Sequence, residues 1–219
     1  MTRSPTGSVL LTGFDPFDGR VTNASWSAVQ EVARTWTGPP ELVVVRLPVS
    51  FRGARQALRE AVARHSPVLV VCVGEPTGRS AVGIERVAVN LIDAPIPDND
   101  GSAPVDVPVI AGGPTAFLAS LPVKACLAAA RAHDVPVEVS STAGTYVCNA
   151  TFYALMHLLD RTPALRGGFV HVPCVPEQVG AGQPSLPTAQ AASALSAILR
   201  AALDPASGMA PRRSAGALS

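Results

Sequence analysis

The chain has 219 residues, 47% of them hydrophobic and 15% charged, with 17 basic against 16 acidic side chains. That length suits one domain with a sizeable core, and the balanced charge, with no basic block or aromatic–basic interleaving, argues against a nucleic-acid partner. The longest apolar runs, such as Val68 to Val73, are too short to span a bilayer, and the opening MTRSPTGSVLLTGFD lacks a signal-peptide layout, so a cytoplasmic protein without membrane contact is expected.

From the N-terminus, the first apolar, β-branched run is Val9 to Thr12, and a helical pattern follows from about Ser25 to Thr35, with Ser25 placed to cap it. A strand pattern at Leu42 to Leu47 precedes a helical one at Phe51 to Arg64, and strand patterns recur at Val68 to Val73 and Val87 to Leu91. After a Pro-, Gly- and Asp-rich stretch at 92–114, a helix is predicted over Pro122 to His133, opening on a first-turn proline and carrying an alanine-rich body. Strand Val135 to Ser140, helix Asn149 to Asp160, strand Gly168 to Val172 and helix Thr188 to Leu203 complete the series. Near-continuous apolar strands alternating with helices predict an α/β fold: a three-layer α/β/α sandwich around a mostly parallel, twisted sheet. It should form a single domain over 1–204, with 205–219 as a disordered tail. The long stretches 92–114 and 173–187 read as functional or disordered loops.

Four cysteines (Cys72, Cys126, Cys148, Cys174) and four histidines (His65, His133, His157, His171) show neither C-x-x-C nor H-E-x-x-H spacing, so no metal is expected and the thiols read as reduced. PDNDG resembles part of a calcium loop, but the flanking positions lack carboxylates, and a turn is the better reading. Cys148 stands where a strand passes into a helix, and unpaired N–H groups at a helix start favour a thiolate. His171 interrupts the apolar run GGFVHVP, and Glu85 opens the run ERVAV. Each has a plain alternative: apolar filler, a core imidazole bonded to backbone, a solvated strand-end charge. Together they match a nucleophile, a base and an orienting carboxylate.

Four segments, LLTGFDPFDGRVTNASW (10–26), ERVAVNLIDAPIPDNDG (85–101), STAGTYVCN (141–149) and RGGFVHVP (166–173), stand in order along the chain, which resembles the pyroglutamyl-peptidase I (pyrrolidone-carboxylate peptidase) family from about Val9 to Leu203. The resemblance implies a metal- and cofactor-free cysteine exopeptidase that removes an N-terminal pyroglutamyl residue from small peptides with a blocked N-terminus, and a homo-oligomer, a tetramer or dimer. It puts the catalytic roles on Glu85, Cys148 and His171, and the substrate ring among Phe14, Phe17, Asn23, Glu75, Ile96, Tyr146 and Val147. The chain departs from the family at Glu75 and Pro95, where glutamine and arginine are usual, and at Asp18 and Ala24, where glycine and proline are usual. Glu75 and Pro95 both make the site more acidic, which would cost thiolate stability. Weakened activity, altered N-terminal specificity or an inactive peptide-binding member are therefore the alternatives.

Overall fold

The computed structural model describes residues 7–162, 164–209 and 214–215. Its strands are β1 (Val9–Phe14), β2 (Leu42–Leu47), β3 (Leu69–Gly74), β4 (Val82–Glu85), β5 (Val87–Val89), β6 (Ala116–Leu118), β7 (Val137–Ser140) and β8 (Arg166–His171). The helices are α1 (Ala24–Thr35), α2 (Gly53–His65), α3 (Val123–Arg131), α4 (Val147–Leu159) and α5 (Thr188–Leu203). Six strands form one sheet in the order β2-β1-β3-β8-β4-β7, and every pairing in it is parallel except β4 with β8.

β1 and β3 are buried along their whole length, which is why their sequences are unbroken apolar runs rather than alternating ones. Alternate residues serve opposite faces. Val9, Leu11, Val71, Val73, Ile84 and Val170 pack under α1, α3 and α5, while Leu10, Val70, Cys72 and Phe169 pack under α2 and α4. Each fully buried Val or Leu is worth about 1.5–3 kcal/mol, so both layers are needed to cover the sheet. The small side chains of α5, among them Ala191, Ala194, Ala197 and Ala202, are buried and let that helix lie close on its layer.

Several sequence expectations change. The strand foreseen at Val87 to Leu91 leaves the main sheet: β5 pairs antiparallel with β6 in a separate two-stranded ribbon beside α4. The main sheet takes the preceding VGIE instead, so Glu85 ends strand β4 rather than opening a strand. Helix α1 is capped by Asn23, whose side chain accepts from the Ser25 N–H at 3.0 Å, because the Ser25 hydroxyl is occupied in accepting the Phe14 N–H. Helix α4 begins at Val147, two residues before its expected start, which puts Cys148 inside the first turn. PDNDG is a turn, with the buried Asp98 carboxylate accepting the N–H groups of Phe51, Asp100 and Ser102. The expected tail opens with a 3-10 turn, Pro205–Met209, while 210–213 and 216–219 lie outside the described residues.

Candidate active site

β3 and β8 run parallel with Gly74 opposite His171, and β4 runs antiparallel to β8 with Gly83 opposite the same histidine. His171 therefore has a glycine on each side in the sheet. A Cβ on Gly74 would lie 2.8 Å from Cys148 Sγ and 2.8 Å from the Phe169 ring, so the nucleophile candidate occupies the space that this glycine leaves. A Cβ on Gly83 would lie 2.8 Å from Arg79 Nη1 and 3.4 Å from Glu85 Oε1. The Glu85 side chain reaches back over that second gap, and His171 Nδ1–H donates to its Oε1 at 2.7 Å. Both residues are buried, at 0% and 3% exposure. This bond selects the tautomer whose Nε2 lone pair is free to take a proton. Strand parity explains the grouping: Gly74, His171, Gly83 and Glu85 all belong to the face that α4 covers, where Cys148 enters from above.

Arg79 supports the carboxylate: its Nη1 donates to Glu85 Oε1 at 2.9 Å and its Nη2 to the Thr142 carbonyl at 3.1 Å. Glu85 Oε2 is buried with no partner among the described residues. Burial, then the nearby Glu85 charge, push the Cys148 thiol up to about 12, with Arg79 opposing. The resting sulfur is thus a thiol, and a helix start does not by itself make it a thiolate. A nucleophilic role for this sulfur would require its proton to pass to a neighbouring base. Tyr146, at the N-cap of α4, makes no side-chain cap, and the first α4 N–H bonded back to it is that of Ala150. A helix start leaves such leading N–H groups without helical acceptors, the kind of donor that can stabilise an oxyanion.

A small cavity of about 40 Å³ adjoins the sulfur, lined by Phe14, Phe17, Asn23, Val49, Glu75, Tyr146, Val147 and Cys148. Of the residues expected around a substrate ring, six line it. Ile96 does not: it is 36% exposed on the loop after β5, outside the cavity wall. Val49 is the addition, contributed by the turn after β2, and nothing in its local sequence marks it. Tyr146 stacks edge-on with Phe51 at 5.3 Å between centroids and donates from Oη to the Pro97 carbonyl at 2.9 Å, which fixes one wall. A larger groove of about 530 Å³ between α2 and α4 is lined by Arg52, Arg55, Arg59, Arg161 and His157, at the opposite end of α4 from Cys148. It contains none of the groups needed for acyl transfer.

The expected acidity of the site is present but opposed. Glu75 is among the charges that raise the Cys148 thiol, while its fully enclosed side chain is paired with Arg20 at 2.6 Å. Arg79 supplies a cation at the triad from a loop that the position of Pro95 does not reveal. Among the described residues, no group of three or more His, Cys, Asp or Glu side chains is arranged to hold a metal ion.

A sequence model of the family described as pyroglutamyl peptidase matches residues 7–205. The chain belongs to this family. It is 50% identical over 197 residues to a pyrrolidone-carboxylate peptidase of Clavibacter michiganensis, covering 90% of this chain and 92% of that one. The Streptomyces coelicolor pyrrolidone-carboxylate peptidase is 48% identical over 196 residues, 89% of this chain and 91% of its own. Among solved structures, pyroglutamyl peptidase I of Bacillus amyloliquefaciens superposes with a TM-score of 0.86 at 42% identity, covering 90% of this chain and 97% of that one. A variant pyrrolidone carboxyl peptidase of Pyrococcus furiosus gives 0.85 at 34% identity, covering 90% and 98%. The pyroglutamyl peptidase family is a family of cysteine peptidases, in keeping with a thiol lodged beside a histidine–carboxylate pair.

Proposed function

We infer that this chain is a cysteine exopeptidase that removes an N-terminal pyroglutamyl residue from small peptides through a thioester. The observation that carries this is the row Cys148, Gly74, His171, Gly83, Glu85: sulfur in one gap beside the imidazole, carboxylate over the other, and a small, mostly apolar recess next to the sulfur. Cys148 Sγ attacks the pyroglutamyl carbonyl while His171 Nε2 takes the thiol proton. Glu85 holds the resulting imidazolium, which then protonates the departing amine as the C–N bond breaks. Water, deprotonated by the same imidazole, cleaves the thioester, releases pyroglutamate and restores the thiol.

Phe14, Phe17, Tyr146 and Val147 offer flat apolar contact to a neutral five-membered lactam, which has two apolar faces and little charge. Asn23, whose side chain is tied to Ser25 and Asp15, holds the rim of the recess. Hydrolysis of a pyroglutamyl p-nitroanilide is the direct test. Turnover at least a hundredfold above the Cys148→Ala variant is expected, and equality with that variant overturns the assignment. Two further properties are proposed with it. One is a cytoplasmic setting, favoured by four free thiols. The other is a homo-oligomer, dimer or tetramer, which light scattering on the purified protein reads directly. Among the described residues no helix is long and apolar enough to cross a membrane.

A further inference from the structure

Glu75 follows Gly74 at the end of β3 and lines the ring recess, yet its carboxylate is turned away from any ligand by four donors from two other parts of the chain. Oε1 accepts from Arg20 Nη1 at 2.6 Å and from Cys174 Sγ at 3.6 Å. Oε2 accepts from Gln178 Nε2 at 2.9 Å and from the backbone N–H of Ala24, the first residue of α1. Gln178 also donates to the Thr22 carbonyl at 3.1 Å, and the Arg20 guanidinium lies 5.9 Å from the Phe17 ring centroid. One buried carboxylate therefore joins the end of the central strand to the segment carrying Phe17 and Asn23, and to the loop after β8.

We propose that Glu75 is a positioning residue for the ring recess: its carboxylate, paired with Arg20, holds the Phe17–Asn23 wall in place. The role depends on a carboxylate at this position. Every neighbour donates, and a carboxylate accepts at both oxygens, whereas a glutamine of the same shape has one acceptor and presents two N–H donors to a guanidinium or an amide. It also depends on residue 24 having an N–H, which proline lacks. The inference rests on the pyroglutamyl reading for its substrate, but the tie itself does not.

Two substitutions isolate it. Glu75→Gln leaves donors unmatched. Ala24→Pro removes one donor at the first helical position, where proline is ordinarily well tolerated, so a loss there points to the missing hydrogen bond rather than to the helix. With pyroglutamyl p-nitroanilide each variant should raise KM about tenfold with kcat within twofold, as loss of a charge-assisted hydrogen bond predicts. The double variant should be no worse than the poorer single one, because the donor that glutamine leaves unmatched is then gone. Backbone amides of residues 15–24 should exchange with deuterium at least tenfold faster in Glu75→Gln, with those of α2 unchanged. A KM within twofold of wild type in both single variants, effects that multiply in the double variant, or unchanged exchange over 15–24 would each overturn the tie. A wild-type protein that turns over no pyroglutamyl substrate overturns the functional assignment instead, and the exchange measurement still decides the tie.

Discussion

Cys148 and Glu85 act on each other in two opposing ways. The carboxylate charge helps push the thiol up to about 12, which disfavours free thiolate. The same carboxylate holds, at 2.7 Å, the imidazole that the proposed mechanism assigns to take the proton. Replacing Glu85 with glutamine separates the two effects. Without the negative charge the thiol pKa falls, so at a fixed pH near 8 more thiolate is present and iodoacetamide should alkylate Cys148 several-fold faster. Hydrolysis should fall by about 10²- to 10⁴-fold, because the imidazolium loses its partner and the tautomer is no longer fixed. Measuring both rates on one protein checks the pair, and a parallel decline in both would contradict it. The residue types of this trio stand in quoted sequence motifs, so the sequence already names them. What it does not carry is the pairing of Glu75 with Arg20, 55 positions apart, since no local pattern tells a buried, matched carboxylate from a free one. The acidifying reading of Glu75 holds in direction, since its charge still helps raise the Cys148 thiol.

The placing of α4 depends on Asn149, the residue after the nucleophile. Its side chain is buried and copies the edge of a strand: Oδ1 accepts from the Val89 N–H at 3.0 Å, and Nδ2 donates to the carbonyls of Val89 and Leu91, each at 2.9 Å. This fastens the start of α4 to β5, a strand of only three residues outside the main sheet. Asn149→Asp keeps the shape but turns two donors into acceptors facing carbonyls. It should lower stability by about 2–4 kcal/mol, as much as Asn149→Ala, which a denaturant titration would read. Asp matching wild type would show that these bonds carry little. Most helices were legible because their apolar positions recur at helical spacing and their ends carry Pro, Ser or Asn. β4 and β6 were not. Four residues, VGIE, and three, AFL, are too short to show a period, and β6 is half-exposed, so neither burial nor alternation marks it. The reversed direction of β4 is a tertiary fact, reached through the short 75–81 connection that brings the chain back from β3, and single-strand patterns carry no direction.

Across the whole molecule, the sheet hides thiols as well as hydrocarbons. Cys72 and Cys126 are fully buried, one under each helical layer, and burial pushes each up to about 12. An unfolded cysteine ionises near about 8.5. With the folded value raised, the stabilisation is complete below about pH 8.5 and is lost as pH climbs towards 12, at up to about 1.4 kcal/mol per pH unit for each thiol. Unfolding temperature should therefore fall steadily between pH 8.5 and 10.5, and a Cys72→Ala, Cys126→Ala variant should show a shallower decline, whatever its starting stability. An identical slope in the variant would assign the alkaline loss to other groups. The three-layer plan itself was legible throughout, because strands covered on both faces need continuous apolar runs and this chain supplies them.

The bare backbone on either side of His171 has an evolutionary consequence. A single methyl group added at Gly83 would lie 2.8 Å from the Arg79 guanidinium and 3.4 Å from the Glu85 carboxylate, with the Ser140 Cβ at an ordinary 3.7 Å, so it would press on the proton relay and not on the scaffold. Gly83 is not part of the ring recess. One codon change could thus turn this hydrolase into a receptor that still grips blocked peptide ends and lets them go uncut.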